Sequence, residues 1–131
     1  MKIEVFFPGN RKVDAKVGNF VVHTDQPTIA GGDDSAPAPF SLFLASLATC
    51  AGIFVKEFCL QRDIPTDNIR IIQESIRGEQ KGLLKQINLE IQVPSDFPEQ
   101  YKKALINVAS LCTVKKNIQS PPEFDISVKT I

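Results

Sequence analysis

Thiol groups are the side chains of this sequence whose type and spacing best suit chemistry. The chain has three cysteines, Cys50, Cys59 and Cys112. A cysteine thiolate can act as a nucleophile, bind a metal ion or enter a disulfide. Cys50 and Cys59 lie in one predicted helix, on opposite faces and about 13 Å apart along its axis. They therefore cannot pair with each other within that helix.

The surroundings of Cys50 and Cys59 predict different roles. Cys50 lies in the small-residue run ASLATCAG at 45–52, where another backbone or a ligand can approach the helix closely. Cys59 follows a charged pair and a phenylalanine near the predicted helix end. This position is typical of a packing residue, so we expect Cys59 to take no part in chemistry.

Cys112 lies where a long amphipathic helix gives way to a short one. If a new helix begins there, its dipole and the charges of Lys115 and Lys116 favour the thiolate form of Cys112. The competing interpretation is that Cys50 and Cys112 are simply buried, inert thiols. Spacing alone favours that second interpretation.

Chemistry other than that of thiols has little support in the sequence. The chain has no CxxC pair, no glycine-rich phosphate-binding loop and no zinc-type spacing of Cys and His. Its one histidine, His23, lies in a strand-like run, where a structural or surface role is the simpler interpretation. Metal catalysis and a Cys-His hydrolase are therefore disfavoured, and no cofactor is indicated.

Composition and charge narrow the class of protein. The 131 residues are 43% hydrophobic and 23% charged, which is typical of a globular protein and predicts a single domain over 1–131. Fifteen Lys and Arg balance fifteen Asp and Glu, so we expect neither a nucleic acid nor a membrane as main partner. The odd cysteine count and the absence of a signal-peptide pattern predict a cytoplasmic protein without structural disulfides.

Hydrophobic periodicity predicts the elements that must position the thiols. The sequence predicts a strand at 2–7, two strands within 12–24 joined by a hairpin turn at Gly18-Asn19, and further strands at 68–78, 83–93 and 124–131. Three helices are predicted. The first covers 39–62, the second begins near Phe97 with a capping box of Asp96 and Glu99, and the third covers 113–119. A long Gly- and Asp-rich loop occupies 25–39. Strands and helices in separate runs indicate an α+β protein with antiparallel sheets.

The helix predicted at 39–62 also bears on assembly. Its first four turns are apolar on all sides, and such a helix must be covered on every side. Its apolar stretch is marginal for a membrane span, so a long buried central helix is the better interpretation. One chain of this size offers few elements to cover it. We therefore expect a homodimer.

A family resemblance gives these residues a context. The stretch PAPFSLFLASLATCAGIFV at 37–55 resembles the central-helix signature of the OsmC/Ohr family, P-x-E-L-L-L-A-x-L-x-x-C, whose cysteine is reactive. The loop AGGDDSAP at 30–37 resembles the Gly- or Asp-rich loop that precedes the family's helix. ASLCTVKKNI at 109–118 matches the family's second cysteine at the start of a helix, with Thr113 where Pro is common. The order of elements matches along essentially the whole chain.

The resemblance implies a function and an assembly. OsmC/Ohr proteins are intertwined homodimers, and characterised members reduce organic hydroperoxides with a cysteine pair at sites formed between subunits. By resemblance, Cys50 is the peroxidatic thiol, Cys112 the resolving thiol, and Arg11 the arginine that stabilises the thiolate and polarises the peroxide. An unknown dithiol restores the pair, no cofactor is needed, and the role is oxidative stress defence. An exposed turn arginine without a role remains an equal alternative for Arg11.

One position departs from the family pattern. Family members commonly carry Glu near the start of the central helix, where this chain has Phe40 and Ser41. Ser41 can form a hydrogen bond but cannot hold an arginine by charge. Asp33 or Asp34 in the preceding loop could substitute. The departure keeps two other hypotheses open: a binding or redox-sensing protein without efficient turnover, and a structural thiol pair in a domain of unrelated role.

Overall fold

The computed structural model describes all residues from 1 to 131. The chain divides into two compact units, Met1–Ala45 and Ser46–Ile131. The prediction of a single domain over 1–131 stays a prediction. Each unit is described by itself below.

The first unit contains a three-stranded antiparallel sheet and a structured loop. Strands β1 (Ile3–Gly9), β2 (Lys12–Val17) and β3 (Phe20–Val22) pair in the order β1-β2-β3. The turn between β2 and β3 places Gly18 at φ +58°, a left-handed conformation that glycine adopts without strain. After β3 in the chain, a short 3-10 helix, Thr28–Ala30, lies within the loop that leads to the first α-helix.

Helix α1 (Pro39–Leu60) is the longest element. Its five buried side chains form one stripe along the helix: Leu47, Ala51, Val55, Phe58 and Cys59. Ile53 and Leu60 remain about half exposed, at 52% and 53%. One chain covers only this stripe, so the prediction of a helix covered on every side, in part by a second subunit, stays a prediction. By length and composition α1 could span a membrane, but core helices meet the same two criteria.

The second unit packs a two-stranded sheet and one helix against that stripe, and a further short helix follows. Strands β4 (Arg70–Arg77) and β5 (Leu84–Gln92) pair antiparallel. Helix α2 (Lys102–Ala109) follows a 3-10 turn at Glu99–Tyr101, and helix α3 (Thr113–Gln119) follows Cys112. The core is built from one group of buried side chains: Val55, Phe58, Cys59, Phe97 and Leu105.

The α+β class with antiparallel sheets is confirmed, whereas two local predictions are wrong. The capping box of Asp96 and Glu99 does not form, because Pro98 occupies the N-cap of the 3-10 turn without a side-chain hydrogen bond. Residues 124–131 are not a strand within the chain: they are exposed, with Phe124 at 85% and Ile126 at 92%. Alternating apolar residues form a strand only where a neighbouring backbone supplies hydrogen bonds, and no segment of the chain pairs with these residues.

Candidate functional site

Cys50 and Cys112 come together in the second unit. Cys50 lies on α1 and is partly exposed, whereas Cys112 precedes α3 and is 3% exposed. The Cys112 thiol forms a hydrogen bond with Cys50, and its Sγ atom lies 4.0 Å from the carbonyl oxygen of Leu47 on α1. Both cysteines are free thiols. Two residues far apart in the sequence thus form one thiol pair.

The first turn of α3 donates to both sulfur atoms. Cys112 is the N-cap of the helix, and its Sγ atom accepts the backbone N–H of Lys115 at 3.3 Å. The backbone N–H groups of Val114 and Thr113 donate to Cys50 instead. These groups have no intrahelical acceptors, so they are free to bind a negatively charged sulfur. The helix terminus predicted beside Cys112 therefore also serves Cys50.

This arrangement lowers the pKa of the Cys50 thiol below its ordinary value. The largest cause is the hydrogen bond from the Val114 backbone N–H, and burial opposes it. Further hydrogen bonds from Cys112 and from the Thr113 backbone N–H lower the pKa in the same direction. A hydrogen bond to the charged form favours that form, so Cys50 is the thiol prepared to ionise.

Cys59 has the opposite environment. Its side chain is fully buried in the core of the second unit. Burial raises the pKa of the Cys59 thiol, and the nearby charges of Lys56 and Arg62 offset this only in part. A buried thiol kept in its neutral form is a poor nucleophile.

A cavity of about 500 Å³ in the second unit is lined in part by Cys112, whereas Cys50 is not among its lining residues. Most of its wall is apolar and comes from α1, the β4-β5 sheet and α2: Leu47, Ala51, Ile71, Ile87, Leu89, Ile91, Ile106 and Ala109. Cys112 and Lys115 form part of the wall, together with Glu90 and Ser110. The site can thus hold a small, largely apolar molecule beside a thiol.

Arg11 belongs to the first unit. It lies in the turn between β1 and β2, and its side chain is exposed. The guanidinium runs past Gly31, where a Cβ atom would lie 3.4 Å from Nε. Its role toward Cys50 stays a prediction. Phe40 and Ser41 are the two candidate positions for the family's Glu, and both lie in the first turn of α1. Ser41 donates its backbone N–H to the carbonyl of Ala38 at 2.9 Å.

The sequence shows which cysteines to consider but not what stabilises them. The residues that follow Cys112 predict that a helix starts there. That its amides reach Cys50 depends on where the folded chain places the first turn of α3, and no local signal encodes such a contact. His23 forms a hydrogen bond with the buried Asp14, at 2.7 Å between Nδ1 and Oδ2.

Comparison with known proteins identifies similar chains. A family model described as OsmC-like protein matches residues 32–127. A solved structure from Psychrobacter arcticus 273-4, provisionally described as an osmotic stress induced and detoxification response protein, is 19% identical with a TM-score of 0.75. The match covers 89% of this chain and 87% of that one. A search of curated proteins gave no match.

Two further structures carry names that refer to hydroperoxides. The organic hydroperoxide resistance protein OsmC of Legionella pneumophila is 18% identical, with a TM-score of 0.56 and coverage of 90% of this chain and 88% of that one. The organic hydroperoxide resistance protein OhrB of Bacillus subtilis is 22% identical, with a TM-score of 0.51 and coverage of 88% of each chain. At these identities the likeness establishes a shared fold.

Proposed function

Because the chain belongs to the OsmC-like protein family, we propose that it is a cysteine-based peroxidase that reduces small organic hydroperoxides in oxidative stress defence. The observation that carries this proposal is the thiol pair itself. Cys50 receives hydrogen bonds from the first turn of α3 and from Cys112, and these lower its pKa. The names of the Legionella and Bacillus structures agree with this substrate class.

The proposed reaction starts at Cys50. Its thiolate attacks one oxygen of the hydroperoxide, the O–O bond breaks, and the departing alkoxide takes a proton and leaves as an alcohol. Cys50 becomes a sulfenic acid. The Cys112 thiol attacks that sulfur, water leaves, and a Cys50–Cys112 disulfide forms. A dithiol then returns two electrons and restores both thiols.

One feature of the second unit supports an organic substrate. The apolar wall of the cavity beside Cys112 suits a hydrocarbon group better than it suits hydrogen peroxide.

Arg11 is the proposed cation that stabilises the thiolate and polarises the peroxide, since a guanidinium keeps its charge and offers a fork of donors.

We further propose that the working form is a cytoplasmic homodimer of single-domain subunits, with sites between subunits. Helix α1 continues through the boundary between the two compact units, which favours one domain. The uncovered apolar faces of α1 need another protein surface, and a second copy is the simplest source of one.

A binding or sensing protein is the alternative, and one observation favours it. Phe40 and Ser41 stand at the two positions where the family commonly has Glu, so no carboxylate there can hold Arg11. Such a protein would keep the cavity, and its Cys50 thiol would be oxidised only once or slowly.

Consumption of tert-butyl hydroperoxide, with dithiothreitol as reductant, tests the proposal. We expect turnover in the natural protein and in the Cys59→Ser variant, and none in Cys50→Ser. Cys59→Ser is the matched control, because it removes a thiol from the same helix. A folded protein whose Cys50 stays unreactive from pH 5 to 9 would leave the binding protein as the better account.

A further inference from the structure

The loop that precedes α1 holds the turn that carries Arg11. The Asp33 carboxylate accepts a hydrogen bond from Asn10 Nδ2 at 3.1 Å through one oxygen. Its other oxygen accepts a hydrogen bond from Lys12 Nζ and forms an ion pair with it. Asn10 and Lys12 are the two neighbours of Arg11 in the chain. One carboxylate therefore fixes the turn on both sides of the arginine.

The loop also leaves space for the arginine side chain. Gly31 has φ +84° and ends the short 3-10 helix. The Arg11 guanidinium passes over it, with Nε 3.4 Å and Nη2 3.8 Å from the place where a Cβ atom would lie. A Cβ atom at position 31 would be in ordinary van der Waals contact with the guanidinium, but a residue that carries one would be strained at this φ.

The loop itself is rigidly organised around a buried carboxylate. Asp25 is fully buried and accepts four hydrogen bonds. They come from the backbone N–H groups of Gln26, Asp33 and Ser35 and from the Ser35 hydroxyl, at 2.6 to 3.2 Å. A Cβ atom at Gly32 would lie 1.9 Å from the carbonyl oxygen of Gln26, so only glycine fits there. Asp33 is thus presented from a fixed backbone.

We propose that Asp33 is a positioning residue for Arg11. Through the two residues that flank Arg11, Asp33 takes the place of the carboxylate that the family commonly supplies from the central helix. Asp33 acts by clamping Asn10 and Lys12, without touching the guanidinium or a substrate. The catalytic consequence of this inference rests on the proposed function, because it requires Arg11 to act on the peroxide. The positioning itself does not.

Kinetics of Cys50 oxidation by tert-butyl hydroperoxide test the consequence. Arg11→Ala should slow the reaction about tenfold, and Asp33→Ala about threefold because the arginine is less well placed. In the Arg11→Ala background, Asp33→Ala should cause no further loss, since it acts through Arg11. The matched control is Asp34→Asn, which removes the same charge one residue later and should leave the rate unchanged. If the losses from Asp33→Ala and Arg11→Ala multiply, or Asp33→Ala reacts at the natural rate, the inference is wrong.

A second measurement keeps the inference testable if the protein shows no peroxide reactivity. The ¹⁵N relaxation of the Arg11 Nε–Hε group reports the order of the guanidinium directly. We expect an ordered group in the natural protein and in Asp34→Asn, and a mobile one in Asp33→Ala. Equal mobility in the natural protein and Asp33→Ala would overturn the inference. Lack of peroxide reactivity would overturn the proposed function alone.

Discussion

The environment of each thiol, more than its spacing in the sequence, distinguishes the three cysteines. Cys50 is partly exposed with a lowered pKa, and Cys59 is buried with a raised pKa. The sequence identifies Cys50 and Cys112 through the resemblance of their surroundings to a family pattern. It cannot reveal that Val114 and Thr113 donate to Cys50, because those contacts exist only once the fold has brought the first turn of α3 to α1.

The lowered pKa of Cys50 predicts how fast this thiol is alkylated at each pH. Because thiolate is the reactive form, Cys50 should reach half of its maximal rate with iodoacetamide below pH 8.5, roughly the value for a free cysteine. Cys59 should stay unmodified in the folded protein. Peptide mass spectrometry of timed samples measures both sites at once, and a Cys50 midpoint at or above that of a free thiol would contradict the assignment.

At the scale of elements, two short segments carry the proposed site. Helix α3 supplies amides to the thiols, and the loop before α1 holds the turn of Arg11. The sequence predicts the existence of both segments, from the run TVKKNIQ and from the Gly- and Asp-rich stretch. It leaves open which loop residue takes the place of the missing Glu, because Asp33 and Asp34 differ only in the bonds they form in the folded loop.

Thr113→Pro tests the role of the α3 amides. Proline suits the first position of a helix, and Cys112 already has φ −47° and ψ 118°, which a following proline tolerates. The substitution removes the Thr113 N–H donor, so the pKa of Cys50 should rise and its alkylation at pH 7 should slow about threefold. Thr113→Ala keeps the backbone N–H and should behave like the natural protein. Equal alkylation rates in both variants would exclude a contribution from this amide.

Asp25 predicts a pH-dependent stability of the loop. The hydrogen bond from the Ser35 hydroxyl is the largest cause that lowers the pKa of this carboxyl, to about 2 from 3.8, and the backbone N–H groups add to it. A lowered pKa contributes stability above the unfolded-state value and loses it as the pH falls through the folded-state value. Asp25→Asn should therefore lower the melting temperature at pH 7, and the difference should shrink between pH 4 and 2. Asp34→Asn is the control, and a difference that stays constant on acidification would contradict this explanation.

For the whole molecule, the order of elements from β1 to α3 was predictable because periodicity and turn residues mark each one. The resemblance to the OsmC/Ohr family is confirmed by the match over residues 32–127. The extent of burial was not predictable in one chain, since it depends on surfaces that the chain does not itself supply. Helix α1 and the segment 124–131 are both apolar and both largely uncovered. Their exposure supports the proposed homodimer.

The apolar side of the segment 124–131 should contribute to that dimer. Ile126 is 92% exposed in one chain, so Ile126→Asp should not disturb the fold of the subunit. It should weaken self-association, because a charge would be buried at the subunit interface. Ser127→Asp places the same charge on the opposite side of the alternation and is the matched control. Sedimentation velocity at micromolar concentration should detect dimers for the natural protein and Ser127→Asp, with more monomer for Ile126→Asp. A natural protein that sediments as a stable monomer would contradict the proposed assembly.

The central claim is that Cys50 and Cys112 form one redox pair, and mass spectrometry tests it most directly. The protein would be treated with one equivalent of tert-butyl hydroperoxide, then alkylated, digested without reductant and searched for cross-linked peptides. The account predicts a Cys50–Cys112 disulfide with Cys59 still free, and a persistent sulfenic acid on Cys50 when Cys112 is replaced by serine. Recovery of both thiols in the reduced state, or a disulfide that includes Cys59, would contradict it.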